Sequence, residues 1–241
     1  MFTLKLDPAA FGAATLDLQD RGVQQAAAYA LTDTAQDVLD HVQARMDVVF
    51  DKPTRFTKNA FMVWRAKPGD LEASVIERPS VGRRHYLKLQ ETGGARGQTG
   101  LEKLLDSRLA YAGALRSVIP ASGAKLNAYG NWQVGERNQA LSAVQAQRDA
   151  TANTTEAARK RNRKRAGFFV PRAGSKLSPG IWKRDGRGSL TKVVHFTALA
   201  PHYDRRLGFF DGAEEVRAAR LPVHLKRTLA KAVERAARAG G

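Results

Sequence analysis

From Gly22 to Phe50 the chain runs without proline, and Leu31, Ala35, Val38, Val42, Met46 and Val49 recur at steps of three and four. Those steps keep side chains on one face of an α-helix, so the stretch predicts a single long amphipathic helix. Such a helix needs a layer to cover its apolar stripe, which restricts the fold to packed helices or to helix on sheet. Asp51-Lys52-Pro53 ends it, because proline lacks the backbone donor and biases its predecessor away from helical angles.

The next segment selects helix on sheet. Ala60–Ala66 and Leu71–Glu77 flank Lys67-Pro68-Gly69-Asp70, a turn sequence that predicts a β-hairpin. A third strand is expected at His85–Gln90, where Tyr86 and Leu89 are bulky and Gly93-Gly94 closes the segment. Leu101, Leu104, Leu105 and Leu109 share a helical face, and a further helix is predicted from Val134 to Arg148. Asp149–Ala158 is Ala-, Thr- and Asn-rich and runs into a cationic stretch, so residues 149–166 read as a mobile basic loop or arm. Strand patterns return at Gly167–Val170, Ile181–Lys183 and Leu190–Thr197, which extend the first sheet in this reading. Two helices close the chain, Ala213–Ala219 and Val223–Ala239, the second lining Leu225, Leu229, Ala232 and Ala236 along one side.

Helices and strands that do not alternate predict an α+β fold, an antiparallel sheet against a long N-terminal helix and C-terminal helices. At 241 residues one main domain is expected, made of residues 22–148 and 167–241, with residues 1–21 as an N-terminal arm. The start lacks a secretion signal and no apolar run spans a membrane, so a cytoplasmic site of synthesis and no membrane partner are expected.

Chemistry is hard to place on this sequence. There is no cysteine, and His41, His85, His195, His202 and His224 show no metal-ligand spacing; His195, in a strand, is the one to inspect. Gly94, Gly97 and Gly100 lack the Gly-Lys-Ser/Thr ending of a phosphate-binding loop, and Asp70 and Glu72 do not assemble the carboxylates of a nuclease. No catalytic residue, metal or cofactor is expected. The electrostatics are distinctive: 40 Lys and Arg face 23 Asp and Glu, a net charge of +17. Its densest part is Arg159, Lys160, Arg161, Arg163, Lys164 and Arg165, a candidate contact for a polyanion, either nucleic acid or an acidic protein groove.

Three short motifs carry a resemblance: Pro53-Thr54-Arg55-Phe56-Thr57-Lys58-Asn59-Ala60 after a long helix, Leu126-Asn127-Ala128-Tyr129-Gly130-Asn131, and Pro179-Gly180-Ile181-Trp182. Their order, with Tyr203, Arg206-Leu207 and Phe209-Phe210 before the last helix, resembles the prophage minor tail protein Z family, tail completion proteins of lambda-like phages. The likeness spans roughly Gln24 to Leu229. It implies a non-catalytic virion or assembly protein at the head-proximal end of a phage tail, made in the host cytoplasm. Its partners would be further copies in a symmetric ring and tail terminator, stopper, adaptor, portal or tail tube proteins. Double-stranded DNA remains an alternative partner. Pro53, Phe56, Asn59, Tyr129, Gly130, Pro179, Gly180 and Trp182 are then structural motif residues. The start of the chain also looks like the α+β fold of several neck and tail-terminator proteins, an analogy at fold level.

Overall fold

The long helix forms as its periodicity requires, and it is the spine of one of two units into which the chain divides. The computed structural model describes residues 1–5, 21–79, 86–109, 115–162, 167–172 and 174–239. In chain order the elements begin with β1 (Phe2–Lys5), α1 (Arg21–Val49), α2 (Arg55–Lys58), β2 (Phe61–Trp64), β3 (Glu72–Glu77), α3 (Tyr86–Thr92), β4 (Gly94–Ala95) and α4 (Gly100–Arg108). They continue with β5 (Ser117–Pro120), α5 (Val134–Ala143), α6 (Glu156–Asn162), β6 (Gly167–Phe169), β7 (Gly180–Arg184), β8 (Leu190–Thr197), β9 (His202–Tyr203) and α7 (Phe209–Ala239). The class is α+β. Met1–Gly93 with Arg205–Gly241 forms one unit and Gly94–Asp204 the other, each with its own apolar core, where one main domain was expected.

In the first unit the sheet has the order β1-β3-β2, antiparallel throughout. The hairpin β2–β3 is the expected one, its turn closed by reciprocal backbone bonds of 3.0 Å between Lys67 and Asp70. Alternation turns Leu4, Ala73, Val75 and Phe61 toward Leu31, Ala35, Val38, Val42 and Met46 of α1. The third strand is not His85–Gln90: residues 86–92 are helical, and β1, part of the expected arm, pairs with β3 instead. Gly93, at φ 72, donates to Leu89 O at 2.8 Å and so caps α3. The glycines that suggested a strand end mark a helix C-terminus, a position that glycine equally favours. Leu87, in the helix, is buried in the core.

The other flank of α1 packs on α7. Asp33 pairs with Arg227, Asp37 with Arg220 and His224, and Arg45 donates to Leu207 O, so positions rise along one helix as they fall along the other and the pair is antiparallel. Ala26, Ala27, Ala28 and Ala30 are buried, and a Cβ at Gly212 would collide with the His41 ring; small residues on both sides permit the close approach. Two C-terminal helices were expected, yet α7 is continuous through Pro222. Proline removes one helical hydrogen bond. Asp37 compensates by holding Arg220 and His224, on either side of Pro222, at 2.7 and 2.8 Å.

In the second unit β5-β8-β7-β6 form an antiparallel sheet of their own, so these strands do not extend the first sheet. Ile181, Val194, Phe196, Val118 and Phe168 share its inner face, which Leu105 of α4 and Ala140 and Leu141 of α5 cover. The register slips between Ile181 and Trp182, so that Val194 opposes Ile181 and Lys192 opposes Trp182, leaving Val193 as a bulge. Helix α5 stops at Ala143, short of the expected Arg148: Gln145 takes φ 64, donates to Ser142 O, and Ala146 donates to Leu141 O. This is a Schellman ending with its usual apolar contact, here Leu141 with Ala146 in the core, and sequence signals it poorly when glycine is absent.

Residues 149–154, part of the expected mobile arm, are held to the end of α5 by polar contacts. Gln145 Nε2 donates to Thr154 O at 2.7 Å, Ser142 Oγ to Ala152 O at 2.9 Å, and a 3₁₀ turn at Ala150–Ala152 leads toward α6. Residues 163–166 lie outside the described residues.

Candidate functional site

The three motifs form three separate surface turns. In the first, Pro53 follows Lys52 (φ 50), Thr54 caps the single turn α2 by accepting from Thr57 N, and Asn59 closes it with a 2.9 Å bond to Arg55 O. Phe56 is left 42% exposed. The second is a hairpin tip built around Asn127, whose Oδ1 accepts from Tyr129 N at 2.9 Å and Asn131 N at 3.0 Å, while Gly130 at φ 76 reverses the chain. Below the tip, Glu136 Oε2 accepts from Lys125 N at 2.6 Å and Trp132 Nε1 at 3.0 Å, fastening the hairpin to α5. Tyr129, 45% exposed, is therefore carried on a rigid base.

In the third motif, Pro179 leads Gly180 across β8 with φ 152, and a Cβ there would run directly into Val194 O. Only glycine fits this crossing. Trp182 Nε1 donates to Ser178 O at 3.0 Å, and Lys192 Nζ lies 5.8 Å from the Trp182 ring centroid. Lys192 also donates to Ser178 Oγ at 2.8 Å and to His195 Nδ1 at 2.5 Å, and burial lowers its pKa. A lysine bonded to the imidazole makes His195 a poor cation ligand, and among the described residues no three His, Asp or Glu are grouped to hold a metal.

Pro53, Phe56 and Asn59 thus belong to the first unit, and Tyr129, Gly130, Pro179, Gly180 and Trp182 to the second. Of the basic run, Arg159, Lys160 and Arg161 lie exposed on α6, where Lys160 has a 3.4 Å pair with Glu156; Arg163, Lys164 and Arg165 lie outside the described residues. Charge is unevenly divided: Gly94–Asp204 holds 19 Lys and Arg against 7 Asp and Glu, which is +12 of the chain's +17. Among the described residues no helix is long and apolar enough to cross a membrane.

One buried ion pair was not anticipated. Glu102, 2% exposed, accepts from Arg96 Nη1 and Nη2 at 2.8 and 2.7 Å, from Thr99 N at 2.6 Å and from Val118 N at 3.0 Å. Burial alone would raise its pKa, but these donors outweigh it and bring the group down to about 2. The pair joins α4 to β5, a structural role. The signal was present as Thr99-x-x-Glu102, a capping box. No protein-family model, curated protein or solved structure matches the chain.

Proposed function

We propose that this chain is a structural virion protein of a tailed bacteriophage, a tail completion or minor tail protein acting at the head–tail junction or head-proximal tail end. It works by shape and charge, without a catalytic centre, through ring-forming contacts with its own copies and with neighbouring tail or neck proteins. The observation that carries the reading is the set of three motifs behind the tail-protein resemblance, with Phe56 and Tyr129 exposed on short, internally bonded turns. Aromatic side chains on rigid turns lose little entropy when they dock, which suits an assembly contact.

Native mass measurement of the purified chain, alone and with the tail-terminator and portal-side proteins encoded beside it, tests the proposal. A discrete ring or stable complex is expected, weakened by Phe56→Ala or Tyr129→Ala. A monomer that ignores those proteins at every salt concentration overturns it. A second reading, a basic protein contacting packaged DNA, is favoured by the +12 carried on Gly94–Asp204. It requires duplex affinity that falls steeply with salt and falls again when Arg159, Lys160 and Arg161 become Ser.

A further inference from the structure

The four-stranded sheet of the second unit has two unlike faces. The inner one carries the apolar core covered by α4 and α5, with Lys183 beside Phe168 at its edge. On the outer one, register places Phe169 of β6 directly across from Trp182 of β7, Lys192 of β8 on the far side of Trp182, and Arg184 next to Leu190. His195 and Ile119 continue the face across β8 and β5. Lys192 is there because of the bulge at Val193: two residues before Val194, it would otherwise point into the core.

We propose that this outer face binds single-stranded nucleic acid, with bases stacking on Phe169 and Trp182 and phosphates meeting Arg184 and Lys192. Among the described residues the face carries two aromatic rings side by side, the cations Arg184 and Lys192, and no carboxylate. The Arg184 guanidinium lies over the Phe169 ring, 5.5 Å from its centroid, and Lys192 Nζ over the Trp182 ring at 5.8 Å, so one face of each ring is already paired with a cation and a base would stack on the other. Glycine is the same-face neighbour of each ring along its own strand, Gly167 for Phe169 and Gly180 for Trp182. Among the described residues nothing lies within 4 Å of a Cβ placed at Gly167, whereas at Gly180 Lys192 and Val194 O fill that space. Ile119 at 49% and Leu190 at 39% exposure show that the rim of the face is accessible.

An unpaired strand is favoured over a duplex because stacking needs a free base face, which a duplex hides within its own stack. It is favoured over an acidic peptide because paired rings flanked by cations match the alternation of base and phosphate along a strand. Strand binding on this face is independent of the assembly role and of the cations of α6.

The test uses the full-length chain and a fluorescently labelled oligothymidylate, its hybridised duplex, and polyglutamate as competitor. The single strand is expected to bind more tightly than the duplex. Phe169→Leu and Trp182→Leu should each weaken it about tenfold with an unchanged salt dependence, since stacking is lost and phosphate contacts are kept. Arg184→Gln should instead reduce the salt slope by about one. A strand carrying 5-iodouracil should photo-cross-link to the peptide that contains Trp182, a readout available even where a variant folds poorly. Equal or tighter duplex binding, unchanged affinity in both leucine variants, or a cross-link confined to α6 overturns the proposal. Displacement by polyglutamate as efficient as by unlabelled oligothymidylate would likewise overturn it, in favour of an acidic protein.

Discussion

Replacing Glu102 by Gln should destabilise the second unit by about 3 kcal/mol at neutral pH, and the deficit should vanish in acid. The magnitude follows from the carboxyl's displacement from an ordinary 4.5 to about 2, at about 1.4 kcal/mol per unit. A carboxylate whose pKa is depressed by folding contributes fully above its unfolded value, and the contribution is lost as pH falls from about 4.5 through about 2. Glutamine cannot be ionised; its amide also sets a donor against Arg96, Thr99 N or Val118 N and leaves the guanidinium without its counter-charge. Trp132 and Trp182 both lie in Gly94–Asp204, so in a Trp64→Phe background tryptophan emission reports this unit alone. Urea titrations should show the variant's midpoint lower by about 1–2 M near neutrality, for a slope of about 2 kcal/mol per M, with the two curves converging by about pH 2. A gap that stays constant from neutral pH to pH 2, or a neutral-pH loss below about 0.5 kcal/mol, would refute the role given to this carboxylate.

Other substitutions probe the remaining joints. Asp37→Asn should cost about 1–2 kcal/mol and speed amide exchange in residues 223–228, because the bonds on both sides of Pro222 weaken. In the parent protein that support should fade only at pH below the usual carboxylate range, since burial of Asp37 is outweighed by its bonds to Arg220 and His224 and its pKa is lowered. Gly180→Ala should lower the thermal midpoint of the second unit by several degrees, about 2–4 kcal/mol, through collision with Val194 O; an unchanged midpoint in calorimetry would mean that β7 and β8 can separate freely. Gly212→Val should loosen the α1–α7 pair against His41, seen as earlier loss of helical circular dichroism on heating.

The sequence was most legible where one physical cause acts alone. The period of α1 and the turn chemistry of Lys67–Asp70 each specify local structure without help, and both elements form within a residue or two of expectation. It misled where two structures share a signal. Gly93 ends a helix as readily as a strand, and Pro222, which normally breaks a helix, is overridden by a side chain from α1 that lies 185 residues earlier in the chain, at Asp37. The polar ties that hold residues 149–154 were invisible because Ala, Thr and Asn have no apolar period to read. Of the candidate residues, the exposed positions of Phe56 and Tyr129 follow from their turns, whereas the pairing of Phe169 with Trp182 depends on register that no local pattern specifies.

The two short strands β4 and β9 close Gly94–Asp204 at its neck, Gly94 opposite Tyr203 and Ala95 opposite His202. One unit is therefore spliced into the other, and synthesis meets them in a fixed order. When the ribosome has made Asp204, every residue of the inserted unit exists, but α1 still lacks α7, the helix that covers its alanine-rich flank. The insert can fold first, and pairing β4 with β9 then brings its own two ends together. That shortens an otherwise long search between α1 and α7 and makes β4–β9 a folding clasp, whose disruption should slow refolding of the outer unit more than it weakens the finished protein.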